Sequence, residues 1–439
     1  MCIERKMIYA VRIIAVTALI LCVTHGALYG VSGMETGHTE QDRNSIILEY
    51  GDPVITGIRI TGLKRTRPSV VRNFLDVSPG MRLSAFNPRR FTQELHHTKL
   101  FKKINLRYIR REDGVEIEVS LVEKWTLIPI PMIVRTKSTE TYGLFIYEAN
   151  FLGYNKKLFL GGMYTNFGWT LNGGYIDPGI AGSGFVMRLF AKTGDMVFEN
   201  VTVNTGLYQR YRARFSDVRF GFGYEFFRRL AVTAESRFRD FSVDRDDGDA
   251  MLPPDSVRSS ALGFRLHYRD LHYTGFSNEG VDITADYLRG VPWYSDCSCY
   301  NEVLIRGRAA LSLNSDNLVY VWLNGGAGNL PEVLHERIGG RTGFKTLAPQ
   351  QVAASGFYSA VPSYETAVYH ASWSTVTVVA FYEGGAFKQT YNGWSSFHGP
   401  GCGVRVYLKS VAFPAFGFDY AYNVPTGNSE VSAAIGFSM

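Results

Sequence analysis

Cysteine is scarce in this chain, proline is modest, and charge is thinly spread. Five cysteines among 439 residues cannot staple a fold of this size, which excludes the disulfide-dense class of small secreted domains. The formal net charge of +6 is not gathered into any basic block, so no nucleic-acid function is read from it. The nine histidines show no metal spacing and no HExxH, and no GxSxG elbow or phosphate-binding glycine loop occurs. No catalytic residue, metal or cofactor is therefore expected. Adjacent His96 and His97 read as surface residues of a helix, and the acidic run Asp244–Asp249 as a solvated turn. After Val23 there is no second long apolar stretch, so the mature chain is not a helical membrane protein.

What is present is glycine and aromatics: 45 Gly, 26 Tyr and 29 Phe, a composition suited to long strands joined by loops. At the N-terminus, basic Arg5, Lys6 and Arg12 precede an apolar run from Ile13 to Val23. Small residues follow at Gly26, Ala27, Gly30, Ser32 and Gly33. This reads as a secretory signal peptide over 1–33, cut between 27 and 33. Its apolar run is about half of the ~20 residues a membrane-spanning helix needs. Cys22 follows bulky Leu21, which argues against lipoprotein processing. The remainder is an exported protein.

Residues 50–124 read as a small α/β domain of order β-α-α-β-β. Ile58–Ile60 is a short strand, and Val70, Val71 and Phe74 recur at helical spacing over Arg67–Leu75. Asn87-Pro88 opens a second helix, a capping residue followed by proline at the first helical position. A strand runs from Phe101 to Arg110, and Asp113-Gly114 marks a hairpin. Then Val115, Ile117, Val119 and Leu121 alternate with polar residues. Residues 125–141 read as a linker.

From Tyr142 to Met439 the pattern is alternation, as a membrane β-barrel requires. Val218, Phe220, Phe222, Tyr224 and Phe226 oppose Arg219, two glycines and Glu225. Phe416, Phe418, Tyr420 and Tyr422 alternate with Gly417, Asp419, Ala421 and Asn423. Val431, Ala433, Ile435, Phe437 and Met439 alternate with small or polar residues. About 16 segments can be marked, starting near 142, 156, 168, 182, 195, 217, 230, 260, 280, 302, 317, 365, 375, 402, 412 and 430. The expected fold is thus an all-β, antiparallel transmembrane barrel preceded by the small domain. A sheet in hydrocarbon must close, because a free edge leaves backbone groups unpaired.

The small domain resembles a POTRA domain, the periplasmic module of the BamA/TamA-type outer-membrane assembly superfamily. The resemblance rests on Ile58-Arg59-Ile60-Thr61-Gly62-Leu63-Lys64-Arg65-Thr66, Gly80, Leu100-Phe101-Lys102-Lys103-Ile104 and Glu123. The barrel resembles the same superfamily in Gly143–Tyr147 with Asn150–Gly153, in Arg269-Asp270 with Gly280, and in three late blocks, Val378–Gly385, Gly401–Val406 and Phe416–Tyr422. It implies an outer-membrane location with the N-terminal domain in the periplasm. It also implies a sixth extracellular loop folded into the lumen with an Arg-Gly-aromatic tip, here Gly339-Gly340-Arg341-Thr342-Gly343-Phe344. Thr342, between the arginine and the glycine, is a departure. The implied acidic partner of Arg341 is Glu383 on the thirteenth strand, and Arg337 is the alternative arginine. A final aromatic is usual in such barrels, whereas this chain ends on Met439 with Phe437 two positions earlier.

By the same resemblance the first and last strands form a weak lateral seam, Tyr142–Ala149 on one lip (Phe145, Tyr147) and Val431–Met439 on the other (Ile435, Phe437, Met439). The implied partners are outer-membrane lipid, unfolded outer-membrane or secreted proteins paired as added strands, and periplasmic accessory proteins on the small domain. Assembly of proteins into the outer membrane is the leading expectation. A secretion or transport pore, or a surface-exposed structural module, is the alternative. Cys297, Cys299 and Cys402 all fall near the extracellular side, so Cys402 could pair with either of the other two.

Overall fold

The computed structural model describes residues 36–135, 140–202, 206–244, 254–274, 276–297, 299–348, 352–390, 392–410 and 415–435. The signal segment, the acidic run beyond Asp244, and Phe437 and Met439 lie outside them. No helix among the described residues is long and apolar enough to cross a membrane.

The N-terminal region comprises α1 (Thr36–Tyr50), β1 (Ile55–Thr61), α2 (Pro68–Arg72), α3 (Pro88–His97), β2 (Phe101–Arg111) and β3 (Gly114–Glu123). The strands form a three-stranded sheet in the order β1-β3-β2, parallel between β1 and β3 and antiparallel between β2 and β3. Each boundary has a local cause. The Asn87 side chain accepts from Arg90 N at 3.0 Å, capping α3, and Pro88 takes its first position. Gly62 has φ +83°, and a Cβ there would lie 2.0 Å from Leu121 O, so only glycine allows the exit from β1. The alternation in β3 buries Val115, Ile117, Val119 and Leu121. Helix α2 is shorter than the Arg67–Leu75 span expected, ending at Arg72 with Asn73 as its cap. Helix α1 precedes the expected domain start, and Ile46 and Ile47 pack on the same core.

The remaining chain forms one 16-stranded antiparallel sheet in which neighbours in sequence are neighbours in space. Its strands are β4 (Leu127–Arg135), β5 (Glu140–Phe151), β6 (Lys156–Thr165), β7 (Gly168–Asp177), β8 (Phe185–Thr202), β9 (Gly206–Phe226), β10 (Leu230–Asp244) and β11 (Val257–Thr274). They continue through β12 (Ser277–Val291), β13 (Asn301–Ser312), β14 (Asn317–Gly328), β17 (Gly356–His370), β18 (Ser374–Gln389), β19 (Gly393–Leu408), β20 (Ala415–Asn423) and β21 (Asn428–Ile435). Between β14 and β17 a long loop carries the short pair β15 (Glu336–Ile338) and β16 (Val352–Ala354).

Two boundaries differ from the sequence reading. The expected linker contains strand β4, which pairs with β5 from Leu127↔Glu148 to Arg135↔Glu140. Its apolar alternation is masked in the sequence by Pro129 and Pro131. Conversely, the segments expected at 182 and 195 are one strand, β8, of 18 residues, and its partner β9 has 21. The two errors offset each other in the strand count. Tyr142–Ala149 is therefore the second strand of the sheet, not an edge.

The alternation sorts as the pattern requires. Phe220, Phe222, Tyr224 and Phe226 are exposed on the outer face, while Arg219, Glu235, Arg265 and Asp286 meet in ion pairs on the inner face. Near the small domain the inner face is apolar instead. Ile128 and Ile130 of β4 and Tyr147 and Ala149 of β5 share one core with Phe91, Leu95, Leu100 and Leu121.

The small domain sits against the turns at one end of the sheet, here termed the proximal end. Arg67 N donates to Gly153 O at 2.9 Å between β5 and β6. Arg228, in the β9–β10 turn, donates to Asn73 O at 2.7 Å. His96 stacks on Tyr273 of β11 at 5.5 Å, and Gln93 meets His272 at 3.3 Å. Lys102 Nζ donates to Ser410 Oγ at 3.0 Å beyond β19. One compact unit thus touches turns from both halves of the sheet, so the sheet curls around it.

Burial at this contact lowers the pKa of both His96 and His97 to about 4, with nearby Lys124 acting on His96 and Arg269 and His272 on His97. Both histidines are neutral when docked and protonate more readily when released. Docking is thus fully supported above about pH 6.5 and is lost as pH falls toward 4. The protection factors of α3 amides, that is, exchange rates relative to the unprotected peptide at the same pH, are expected to fall across that window, by up to about tenfold per pH unit for each histidine. Protection factors that do not change between pH 7 and 5 would refute the docking geometry.

Candidate interior strut and sheet edges

The loop between β14 and β17 crosses the interior of the curled sheet. Its tip is shaped by glycines at left-handed positions, with φ +112° at Gly339, +66° at Gly340 and +91° at Gly343. Gly340 N donates to Phe344 O and Leu347 O, both at 2.9 Å, closing the tip. A Cβ on Gly343 would lie 2.2 Å from Asn324 Nδ2 and 2.6 Å from Ser359 Oγ, so glycine is required where the tip presses on β14 and β17. Phe344 is fully buried, its ring 5.5 Å from both Phe357 and Phe397.

Glu383 does hold this tip, but not through Arg341. Fully buried on β18, it accepts from Lys345 N at 2.9 Å, Thr346 N at 2.7 Å and Thr346 Oγ1 at 2.8 Å. The buried cation is Lys345, whose Nζ lies 2.6 Å from Asp419 of β20. Asp419 also accepts from Arg405 of β19 at 2.6 Å. Asn423 completes the attachment by donating to Thr346 O at 3.2 Å.

Arg341 points the other way. It lies 3.6 Å from Glu336 of the loop's own β15 and over the rings of Phe344 and Phe357. Glu336 pairs in turn with Arg306 of β13 at 3.1 Å. Lys345, four residues beyond Arg341, is the cation that reaches the far wall. Arg337 reaches the opposite wall, donating to Asn200 at 2.9 Å and Tyr211 at 3.0 Å with Phe198 beneath it. The loop is therefore a strut, fixed to β8, β9 and β13 on one side and to β18 and β20 on the other.

The wall behind the strut is a ladder of paired charges. Arg219 bonds Glu235 at 2.7 Å and Asp286 at 3.3 Å, and Arg265 pairs with Asp286. Arg237 bonds Asp217 at 2.7 Å and shares Glu302 with Arg239, at 3.4 Å each. The roles of Lys345, Thr346 and Asp419 were not assigned from sequence. Asp419 offered one signal, a lone acid at an inward position of an otherwise aromatic and small-residue strand.

The two edges of the sheet are β4 and β21, and no ladder joins them among the described residues. Trp125 N donates to Ser410 O at 3.0 Å, so the foot of β4 meets the turn before β20. Proline in a sheet keeps its nitrogen on the unpaired side. Pro129 and Pro131 pair with β5 at Ile146 and Leu144, so the free edge of β4 lacks two donors. The expected lip residues Phe145 and Tyr147 face the core shared with the small domain, and they form no lip, because β5 is not an edge. Val431 of β21 is exposed.

Cys297 and Cys402 are both free thiols, so Cys402 does not pair with Cys297. Cys402 faces outward on β19, in register with Tyr420, whereas Cys297 packs on clusters of the inner side. No group of three or more His, Cys, Asp or Glu among the described residues could hold a metal.

Substituting Asp419→Asn leaves Lys345 and Arg405 buried without their counter-charge. It is expected to destabilise the fold by about 3–5 kcal/mol, read as a lower denaturant midpoint with faster proteolysis of the loop. Arg341→Gln, in a pair 34% and 25% exposed whose Glu336 keeps Arg306 as a partner, is expected to cost about 1 kcal/mol. The reverse ranking would restore Arg341 as the anchor.

No protein-family model and no curated protein sequence matches the chain. Solved structures do. BamA from Haemophilus ducreyi lacking POTRA domains 1–3 matches with a TM-score of 0.54 at 14% identity, over 88% of this chain and 84% of that one. CdiB from Escherichia coli matches with a TM-score of 0.62 at 13% identity, over 88% and 77%. CdiB from Acinetobacter baumannii matches with a TM-score of 0.55 at 12% identity, over 88% and 73%. The chain shares its fold with these BamA- and CdiB-type proteins.

Proposed function

We propose that the sheet closes into a barrel in the bacterial outer membrane, with the small domain as a single POTRA-like unit in the periplasm. The interior then carries protein across the membrane under the control of the strut. The carrying observation is the inner wall of β8–β13, where arginines alternate with aspartates and glutamates in pairs. Paired charges of both signs suit a water-filled passage for an extended polypeptide and favour neither charge in the cargo. Membrane insertion of a client does not need such a wall. The shared fold with CdiB supports this reading. No nucleotide, metal or catalytic step is required.

A second reading, insertion of outer-membrane proteins through the seam, is favoured by the unpaired edges of β4 and β21. An edge strand is a template for an incoming one.

Photocrosslinkers placed in living cells separate the two. Adducts with exported protein from exposed, inward-facing Lys192 and Arg306, but not from β4 or Val431, are expected for passage through the interior. Adducts confined to the two edges would overturn it in favour of insertion. Pro129→Val with Pro131→Val restores two donors to the free edge. The pair is expected to raise stability by about 1 kcal/mol per hydrogen bond formed and to leave transport unchanged. A loss of function in this variant would show that the seam must open.

A further inference from the structure

An apolar groove of about 560 Å³ lies on the outer wall at the proximal end of β4, β5 and β6. Leu127, Ile146, Leu152, Leu158 and Leu160 line it, with Arg65 of the small domain at its rim. Leu152 sits in the β5–β6 turn at φ +55° and is 67% exposed, an apolar side chain held outward by a strained turn. The groove is not a strand-binding edge. Its floor is backbone already paired, Leu127 with Glu148 and Ile146 with Leu160.

The rim is cationic and aromatic. Arg65 lies 5.9 Å from the Trp125 ring, Arg67 5.7 Å from the Tyr154 ring, and Lys156 5.6 Å from the same tyrosine. The neighbouring acids are engaged within the protein. Glu148 accepts from Asn150 N at 2.8 Å and lies 3.5 Å from Arg65. Glu123 accepts from Arg65 N and Thr66 N. Asp177 pairs with Lys156 at 3.1 Å. Arg67 has no ion pair among the described residues, and Arg65 keeps about half of its side chain exposed (49%) beside its single distant pair.

From this juxtaposition we infer that the groove binds one anionic phospholipid of the periplasmic leaflet, acyl chain along the leucines and phosphate against Arg65 and Arg67. The inference rests on the membrane reading above. In a bilayer the surrounding tails are as apolar as the groove, so tail contact alone gives no selectivity. Selection comes from the headgroup, where aromatic rings hold the arginines at the interface and Arg67, without an ion pair among the described residues, meets the phosphate beside half-exposed Arg65.

The test uses the full chain folded into phosphatidylcholine bilayers doped with photoactivatable phosphatidylglycerol. Adducts are expected to concentrate on the peptides carrying Leu127, Ile146 and Leu152–Leu160. Unlabelled phosphatidylglycerol should displace them, while phosphatidylcholine and inorganic phosphate should not. Arg65→Gln and Arg67→Gln should each weaken capture about five-fold. Arg67→Gln keeps the backbone bond to Gly153 and so keeps the small domain docked. Adducts spread evenly around a folded, inserted barrel would overturn the site alone, as would displacement by phosphatidylcholine or by free phosphate, or full capture by both variants. A chain that never enters bilayers would overturn the membrane reading and this site with it.

Discussion

Asp419 is a single buried carboxylate shared by two cations from different parts of the chain, Lys345 on the loop and Arg405 on the wall. Three charges leave water together, and their mutual contact, with Arg405's bonds to the Val404 and Phe418 carbonyls, offsets the cost. Each member therefore depends on the others. Without Asp419 the loop has two buried cations to repel it, and without Lys345 the pair on the wall is left with its acid half satisfied. Glu383 adds hydrogen bonds to Lys345 N, Thr346 N and Thr346 Oγ1, fixing the tip's backbone as well as its charge. The path of the loop across the interior, the burial of Phe344 and the curvature that brings β8 and β20 to one strut all follow from this attachment.

Two kinds of core coexist in the structure. At the proximal end the inner face is apolar and continuous with the small domain, so β4 and β5 are packed from inside by Phe91, Leu95 and Leu121. Farther along, the inner face turns to ion pairs. The change coincides with what each part contacts. A docked domain rewards apolar burial, whereas buried charges away from it must satisfy one another. The early strands are thereby held by the domain, and the later ones by their own ladder.

Much of this was legible in the sequence, because strand alternation has a period that burial enforces. Phe416 to Asn423 and Val218 to Phe226 sort onto the faces that their pattern assigns. The small domain was equally legible, through Asn87-Pro88 and the clean alternation of Val115 to Leu121. Strand β4 was not, because two prolines read as a break when only the paired side of a strand forbids them. The long β8–β9 hairpin was not, because its alternation persists past the length expected of a strand. The anchor of the loop was half legible. Glu383 was identified by resemblance, but which cation or backbone group it meets depends on how the tip turns. The left-handed glycines at 339, 340 and 343 set that turn, and residue types alone do not show where it points its side chains.

The β8–β9 hairpin has a mechanical consequence. Its strands of 18 and 21 residues span roughly 60–70 Å at the usual rise, while β20 and β21, with 9 and 8, reach half as far or less. The hairpin's tall end carries Asn200 and Tyr211, the groups that grip Arg337. Arg337 thereby ties this taller hairpin to the strut. A displacement of the hairpin's upper end would be carried through these two hydrogen bonds to the loop that crosses the interior.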